Sequence, residues 1–272
     1  MPAPILFIDP ISEPSRAVHW FALEAGVPLE LRYVWLTRNQ HQSAVFAAVN
    51  PRRQVPALLD GDFALSEGTA ILRYLAATAG ADPARPRKRP RSEPQASEAR
   101  APAEVWLGKT PRERARVDQL FSWYHTNLRL RSTLEYFLPA LLVPSFGAPR
   151  PAPERIAKLR ERARQSLEGM EELLAGRPYF GGEQPRASDL LLAAELYALD
   201  CDPTRAGLLE GLHGVSAWER RMRGLPGYAP THAGWNAVVP MILARLRDGA
   251  PAGSGAAWIA DACERAIEAA GS

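Results

Sequence analysis

Residues 50–75 read NPRRQVPALLDGDFALSEGTAILRYL, and this stretch decides the fold of the first part of the chain. The apolar run after Val55 and Pro56 predicts a short strand, and the Asp-Gly-Asp at 60–62 predicts a tight turn into a returning strand. The Ser-Glu-Gly at 66–68 then opens a helix with apolar residues at helical spacing. A hairpin that runs directly into a helix leaves free backbone N–H groups beside the glutamate. That arrangement suits a small zwitterionic ligand.

The residues before this stretch complete a small α/β domain. Residues 5–8 predict a buried strand, and Ser12, followed closely by a proline, marks the start of a helix. A second strand is expected at 29–36 and a short helix at 46–49. The predicted order is strand, helix, strand, helix, strand, strand, helix. We assign residues 1–79 to this domain.

Two polar side chains of this domain are open to two interpretations each. A hydroxyl at Ser12, where the first strand meets the first helix, can donate a hydrogen bond to an anion. Alternatively it only caps the helix, which contributes about 1 kcal/mol. Glu67 either faces the ammonium group of a ligand or is a solvated carboxylate in the first turn of a helix. The sequence has no G-x-S-x-G motif, so a serine hydrolase is not expected.

Composition and length describe an ordinary globular protein of about two domains. The 272 residues are 46% hydrophobic and 23% charged, and no apolar run approaches the roughly 18 residues of a membrane span. The N-terminus lacks the features of a secretory signal. Cys201 and Cys263 form neither a disulfide framework nor a metal-binding spacing, so no metal is expected. Buried thiols predict a reducing environment, and we expect a cytoplasmic location without membrane association.

A Pro-rich basic segment interrupts the chain. Residues 81–103 contain five prolines and no aliphatic residue larger than alanine, which predicts a disordered insertion or linker at 80–104. The basic excess of this segment equals the formal net charge of +3 of the whole chain. The rest of the protein is therefore neutral, and nucleic acid is not an expected partner. The basic run at 85–91 is either a solvated linker or a nuclear-localisation signal.

The remainder, 105–272, is predicted to be an all-α domain. A long helix is expected to begin at Pro111, and others at 155–174 and 190–199. Because an arginine precedes the third of these helices where a capping hydroxyl is usual, Ser188 is expected to provide the cap. A final amphipathic helix is predicted around Trp258.

Three blocks of the sequence together resemble the glutathione transferases, and the theta class in particular. They are IDPISEPSRAV at 8–18, the stretch 39–75 that contains the hairpin, and RERARVDQLFSWYHTNLR at 112–129. The resemblance implies an α/β plus all-α fold, with a thioredoxin-like N-terminal domain and a glutathione-transferase-type helical C-terminal domain. It also implies glutathione as co-substrate, a small hydrophobic electrophile as second substrate, and a homodimer.

The resemblance implies a role for each matching residue. Ser12 would be catalytic, its hydroxyl donating to the glutathione sulfur and favouring the thiolate. His41 and Gln54 would lie near the glycine carboxylate, and Arg129 matches an arginine of the helical domain near the active site. The residues that would hold the rest of the tripeptide are Val55, before a cis Pro56, for the cysteinyl backbone, and Glu67 with Gly68 for the γ-glutamyl end.

The activity implied is attack of the glutathione thiolate on an electrophile, or reduction of an organic peroxide, as in detoxification. Three residues depart from the class: Gly68 replaces a serine, Gln54 a lysine and Glu13 a glutamine. Each change is expected to weaken glutathione use, by about 1 kcal/mol. The alternative function is therefore a related binding or scaffold protein with little or no catalysis. The helical half, which resembles the class least, does not identify the electrophile.

Overall fold

The computed structural model describes residues 2–79 and 103–271. The first domain contains a four-stranded sheet in the order β2-β1-β3-β4, with β1 and β2 parallel and the other neighbours antiparallel. Its elements are β1 (Ile5–Ile8), α1 (Glu13–Glu24), β2 (Glu30–Tyr33), α2 (Ala44–Val49), β3 (Ala57–Asp60), β4 (Phe63–Ser66) and α3 (Gly68–Thr78). This is the predicted order, and the predicted fold class is confirmed.

Helices pack on both faces of the sheet, and the inner strand β1 contributes side chains to the core on each face. Leu6 and Ile8 belong to the large core that α1, α3 and the helical domain share, whereas Phe7 packs with Phe46 of α2 in a smaller core. Alternate residues of a strand point to opposite faces, which is why a four-residue apolar strand can serve two cores.

The second domain is helical throughout its described length. Its longest continuous helical run consists of α5 (Pro111–Tyr124) and a π-helical segment, His125–Leu142, that follows it directly. The π-helical segment packs against α6. The apolar α7 runs through the core with all its residues buried. The helices are α4 (Ala103–Leu107), α5, α6 (Pro153–Leu174), α7 (Ala187–Leu196), α8 (Arg205–Leu209), α9 (His213–Arg223), α10 (Tyr228–Asp248) and α11 (Ala257–Gly271).

A buried guanidinium joins the domains. Arg16 of α1 donates from Nη1 to the carbonyl oxygens of Pro10 and Ile11, both at 2.9 Å, and from Nη2 to that of Ala194 in α7, at 3.0 Å. Its guanidinium also lies 4.7 Å from the centre of the Trp235 ring in α10. Because the same side chain bonds the loop after β1 and a helix of the second domain, it sets the position of that loop relative to the helices.

Three local predictions need correction. The second strand is shorter than the predicted 29–36, because the N–H of Leu36 turns away to a carboxylate and a short 3₁₀ helix, Leu36–Arg38, follows. The helix predicted at 190–199 is α-helical only to Leu196 and then tightens into a 3₁₀ turn. Ser188 does not cap α7. It lies inside the helix, and its hydroxyl oxygen has no partner among the described residues.

Asp189 stabilises the start of α7 instead. Its carboxylate accepts from the N–H groups of Arg186 and Phe180, at 2.9 and 2.8 Å, and from the indole of Trp218 at 2.9 Å. Burial raises the pKa of this carboxyl to about 6, although the three donors act in the opposite direction.

Almost all of the predicted insertion at 80–104 and its basic run at 85–91 lie outside the described residues, so the domain bounds stay a prediction. In the part of the chain that the structure covers, no helix combines the length and the hydropathy of a membrane span.

Candidate active site

A cleft of ≈ 660 Å³ lies between the two domains. The first domain contributes the loop after β1, the residues around the hairpin and the start of α3, and the second contributes one face of the long helix. All eight residues predicted for the site line it: Ser12, His41, Gln54, Val55, Pro56, Glu67, Gly68 and Arg129.

Ser12 is the N-cap of α1, as predicted. Its Oγ accepts a long bond, 3.4 Å, from the N–H of Ser15, and its own N–H donates to the carbonyl of Asp9 at 3.0 Å. Because the Oγ accepts in the cap, the hydroxyl proton stays available to donate to a group in the cleft. An anion there would also face the positive end of a twelve-residue helix.

Asp9 holds the loop that presents Ser12. Its carboxylate, almost completely buried, accepts from the N–H of Ile11 at 2.9 Å and from the N–H of Leu36 at 2.6 Å. Burial raises the pKa of Asp9 to about 6, although both N–H donors favour the ionised form. Ile11 and Leu36 both line the cleft, so one buried carboxylate orders two of its walls.

The segment that leads into β3 presents an unpaired stretch of backbone. The Val55–Pro56 peptide bond is cis, as the resemblance implied. Asn50 supports this segment, donating from Nδ2 to the carbonyl of Gln54 at 2.7 Å. No hydrogen bond within the described residues uses the N–H or C=O of Val55. A peptide-like ligand in the cleft could pair with both groups.

The start of α3 carries a carboxylate and a close helix contact. Glu67 has a φ of 70°, and its exposed side chain accepts from Arg52 Nη1 at 3.1 Å. A Cβ atom at Gly68 would lie only 3.0 Å from Pro14 Cβ, so glycine lets α3 begin directly against α1. The carboxylate predicted to face a ligand ammonium therefore has a cationic partner in the free protein.

Another part of the cleft lining is polar and partly basic. Nδ1 of His41 is buried and has no partner among the described residues, while Gln54 is exposed. Arg53 adopts a positive φ of 56° and donates to Gln42 Oε1 at 3.1 Å. Arg53 therefore adds a positive charge beside Gln54, whose side chain is neutral.

A buried ionic cluster forms the floor of the cleft, and most of it was not predicted. Arg129 Nη1 contacts Glu195 Oε2 at 3.1 Å and Glu13 Oε2 at 3.5 Å. Glu195 also accepts from Tyr124 Oη at 2.7 Å and from the Thr133 hydroxyl. Burial opposes the charge of Arg129, but the carboxylate of Glu195 raises its pKa above the ordinary value. In the sequence, the one sign of this cluster was Glu195, a single carboxylate within the apolar helix predicted at 190–199.

The wall above this cluster is apolar. Leucine and phenylalanine side chains of the π-helical segment and of α7 line it: Leu134, Phe137, Leu138, Leu142 and Leu191. The cleft thus has a polar side that suits a charged peptide and an apolar side that suits a hydrophobic molecule. No group of three or more His, Cys, Asp or Glu residues suited to a metal ion occurs in the described ranges.

Comparisons with known proteins show what this chain is similar to. The family model for the glutathione S-transferase N-terminal domain matches residues 12–78. Human glutathione S-transferase theta-1 is 33% identical over 225 residues, covering 82% of this chain and 83% of its own length. The bovine theta-1 protein is 34% identical, with coverage of 82% and 83%.

Solved structures extend the similarity to the whole fold. Human glutathione S-transferase T1-1 in its apo form superimposes with a TM-score of 0.72 and 28% identity, covering 98% of this chain and 99% of that one. Human glutathione transferase theta-2, solved in complex with glutathione and an unknown ligand, gives a TM-score of 0.71 and 26% identity, covering 97% and 100%.

Proposed function

This chain belongs to the glutathione S-transferase family, within its theta class, and we propose that it joins glutathione to small hydrophobic electrophiles through a thiolate that Ser12 stabilises. The observation that carries the proposal is the geometry of Ser12. Its oxygen caps α1, its proton is free, and it faces a cleft lined by every other residue that the resemblance assigned to glutathione.

The thiolate is the reactive form, and Ser12 acts on its stability. A thiol with a pKa near ~8.5 is mostly protonated at neutral pH. Lowering that pKa by about two units requires roughly 2.7 kcal/mol of preferential stabilisation of the thiolate. A hydrogen bond from the Ser12 hydroxyl, together with the N-terminus of α1, is of the right size for this task.

The rest of the cleft orients the tripeptide. The free N–H and C=O of Val55 would pair with the cysteinyl backbone, and Glu67 with the Gly68 N–H would receive the γ-glutamyl end. His41 and Gln54 would lie at the glycine carboxylate. Since Gln54 carries no charge and Arg52 is paired with Glu67, Arg53 is the better source of a cation there.

The apolar wall would hold the second substrate beside the sulfur. Attack on carbon forms the thioether and expels a leaving group. Attack on a hydroperoxide oxygen breaks the O–O bond and gives an alcohol and the sulfenic acid of glutathione, which a second glutathione converts to the disulfide with release of water. The five apolar side chains of that wall favour a small hydrophobic electrophile.

Binding and turnover assays test this function. We expect retention on glutathione resin and turnover with at least one member of a panel of alkyl halides and organic hydroperoxides, and a strong loss of turnover in Ser12→Ala. Binding of glutathione with no turnover across the panel would favour the binding or scaffold alternative. Undiminished turnover in Ser12→Ala would remove Ser12 from the mechanism.

Membership of the theta class also leads to proposals about the assembly and the cellular location of the protein. We infer a homodimer in the cytoplasm, acting in detoxification, from the class that the chain belongs to. Light scattering coupled to gel filtration measures the assembly. Cellular distribution of a tagged chain, with and without residues 81–103, distinguishes a cytoplasmic from a nuclear location.

A further inference from the structure

Two buried carboxylates share one guanidinium at the floor of the cleft. Glu13 is 5% exposed and Glu195 is fully buried, and both contact Nη1 of Arg129. Glu13 and Arg129 also line the cleft, next to the proposed position of the sulfur at Ser12. Removal from water, together with the nearby carboxylate of Glu195, disfavours ionisation of Glu13.

The two carboxyls are not equally stabilised as anions. Glu195 accepts hydrogen bonds from Tyr124 and Thr133, and both of its carboxylate oxygens accept from Nη1 of Arg129. The only hydrogen bond of the Glu13 side chain to another described residue is from Arg129, and at 3.5 Å it is long. Glu13 is therefore the member of the pair that accepts a proton more readily.

The charges around Glu13 point the same way. Burial, followed by repulsion from Glu195 on α7, raises the pKa of Glu13. Arg129 on the π-helical segment and Arg16 on the same helix α1 act against this rise and do not cancel it. A third negative charge in the cleft would increase the repulsion further.

We propose that Glu13 takes up a proton when glutathione binds as its thiolate, so that ionisation of the thiol releases little proton to solvent. The inference rests on the proposed function. The S–H bond of glutathione breaks, an O–H bond forms at the Glu13 carboxyl, and the number of protons in the complex stays the same. When the electrophile has reacted and the thioether leaves, Glu13 returns its proton to solvent.

Proton counting by calorimetry tests this. Glutathione is titrated into the full-length protein in buffers of different ionisation enthalpy, from about pH 6 to about pH 8.5, and the thiolate is followed by its ultraviolet absorbance. We expect a range of pH in which wild type releases far less than one proton while Glu13→Gln releases about one, both forming the thiolate.

A matched control lies on the same helix. Glu24 is partly buried and accepts from Trp20 and Gly227, and it is not part of the cleft lining. Glu24→Gln should therefore release as little proton as wild type.

Equal proton release by wild type and Glu13→Gln at every pH would overturn the inference and leave the proposed function intact. Failure of wild type to bind glutathione would overturn both. If Glu13→Gln did not fold, release of a full proton by wild type at every pH would by itself overturn the inference.

Discussion

Arg52 Nη1 lies 3.1 Å from Glu67 Oε1, so the carboxylate proposed to receive the ammonium group of glutathione is already paired with a cation. Both side chains are largely exposed, 70% and 51%. Exposed ion pairs contribute about 0–1 kcal/mol, so a ligand can displace Arg52 at small cost. We therefore expect the pair to weaken glutathione binding slightly.

Replacing Arg52 is expected to strengthen glutathione binding. Arg52→Ala removes the competitor for Glu67, and a gain of at most about 1 kcal/mol corresponds to a KM for glutathione up to about fivefold lower. The neighbouring Arg53→Ala is the matched variant and should raise KM, because it removes the cation assigned to the glycine carboxylate. Steady-state kinetics with varied glutathione measures both. A higher KM in Arg52→Ala would assign the glycine carboxylate to Arg52 instead.

Ser12→Ala is expected to reduce kcat/KM by about 10- to 100-fold near neutral pH, because the thiolate loses its donor. The deficit should shrink at alkaline pH, where the thiol ionises unaided. Loss of the cap should also lower the unfolding free energy by about 1 kcal/mol. Ser43→Ala is the control: Ser43 caps α2 through a bond from the Phe46 N–H at 3.2 Å and does not line the cleft. An equal loss of activity in both variants would attribute the effect to stability.

Gly68→Ser introduces the hydroxyl that is usual at this position in the theta class, but it also adds a Cβ atom close to Pro14. Gly68→Ala adds the same atom without the hydroxyl and therefore measures the steric effect alone. We expect the serine variant to bind glutathione about 1 kcal/mol more tightly than the alanine variant, about fivefold in dissociation constant. Calorimetric titration of the two variants makes the comparison. Equal affinities would show that no γ-glutamyl group lies within reach of residue 68.

Asp189→Ala is expected to lower the unfolding free energy by at least about 3 kcal/mol, because it leaves three buried donors without an acceptor. Chemical denaturation followed by circular dichroism measures the loss. The matched variant is Glu113→Ala, which removes the corresponding side-chain bond at the exposed start of α5. Its effect should be much smaller. Similar losses in the two variants would contradict the importance of the buried donors.

The buried carboxyl of Asp9 makes stability depend on pH. Its pKa is raised from 3.8 to about 6, so between these values the folded protein holds a proton that the unfolded chain releases. The stability that this proton contributes is present below about pH 4 and is lost as pH rises toward about 6, by up to about 1.4 kcal/mol per pH unit. Asp9→Asn should flatten the decline, measured by urea denaturation across that range. If the unfolding free energy of Asp9→Asn declined with pH as steeply as that of wild type, Asp9 would not be the cause of the decline.

Local signals predicted most elements of the first domain, whereas the roles of its site residues were implied only by the family resemblance. The cap at Ser12 and the hairpin before Glu67 depend on neighbouring residues, so their residue types were sufficient evidence. The contact of Glu13 with Glu195 through Arg129 joins three helices that are far apart in sequence, and no local pattern encodes it. The Arg52–Glu67 pair was missed for another reason, because the position of an exposed arginine depends on its side-chain rotamer.

Arg16 also determines how the chain can be divided. Its guanidinium binds the backbone on either side of the domain boundary, at Pro10 and Ile11 and at Ala194. A fragment cut after residue 79 would keep the serine, the hairpin and Glu67, yet it would leave a cation facing solvent and a loop without its anchor. Recombination with another member of the family should therefore exchange α7 and α10 together with α1, since a foreign second half would have to offer that side chain both a carbonyl and an aromatic ring.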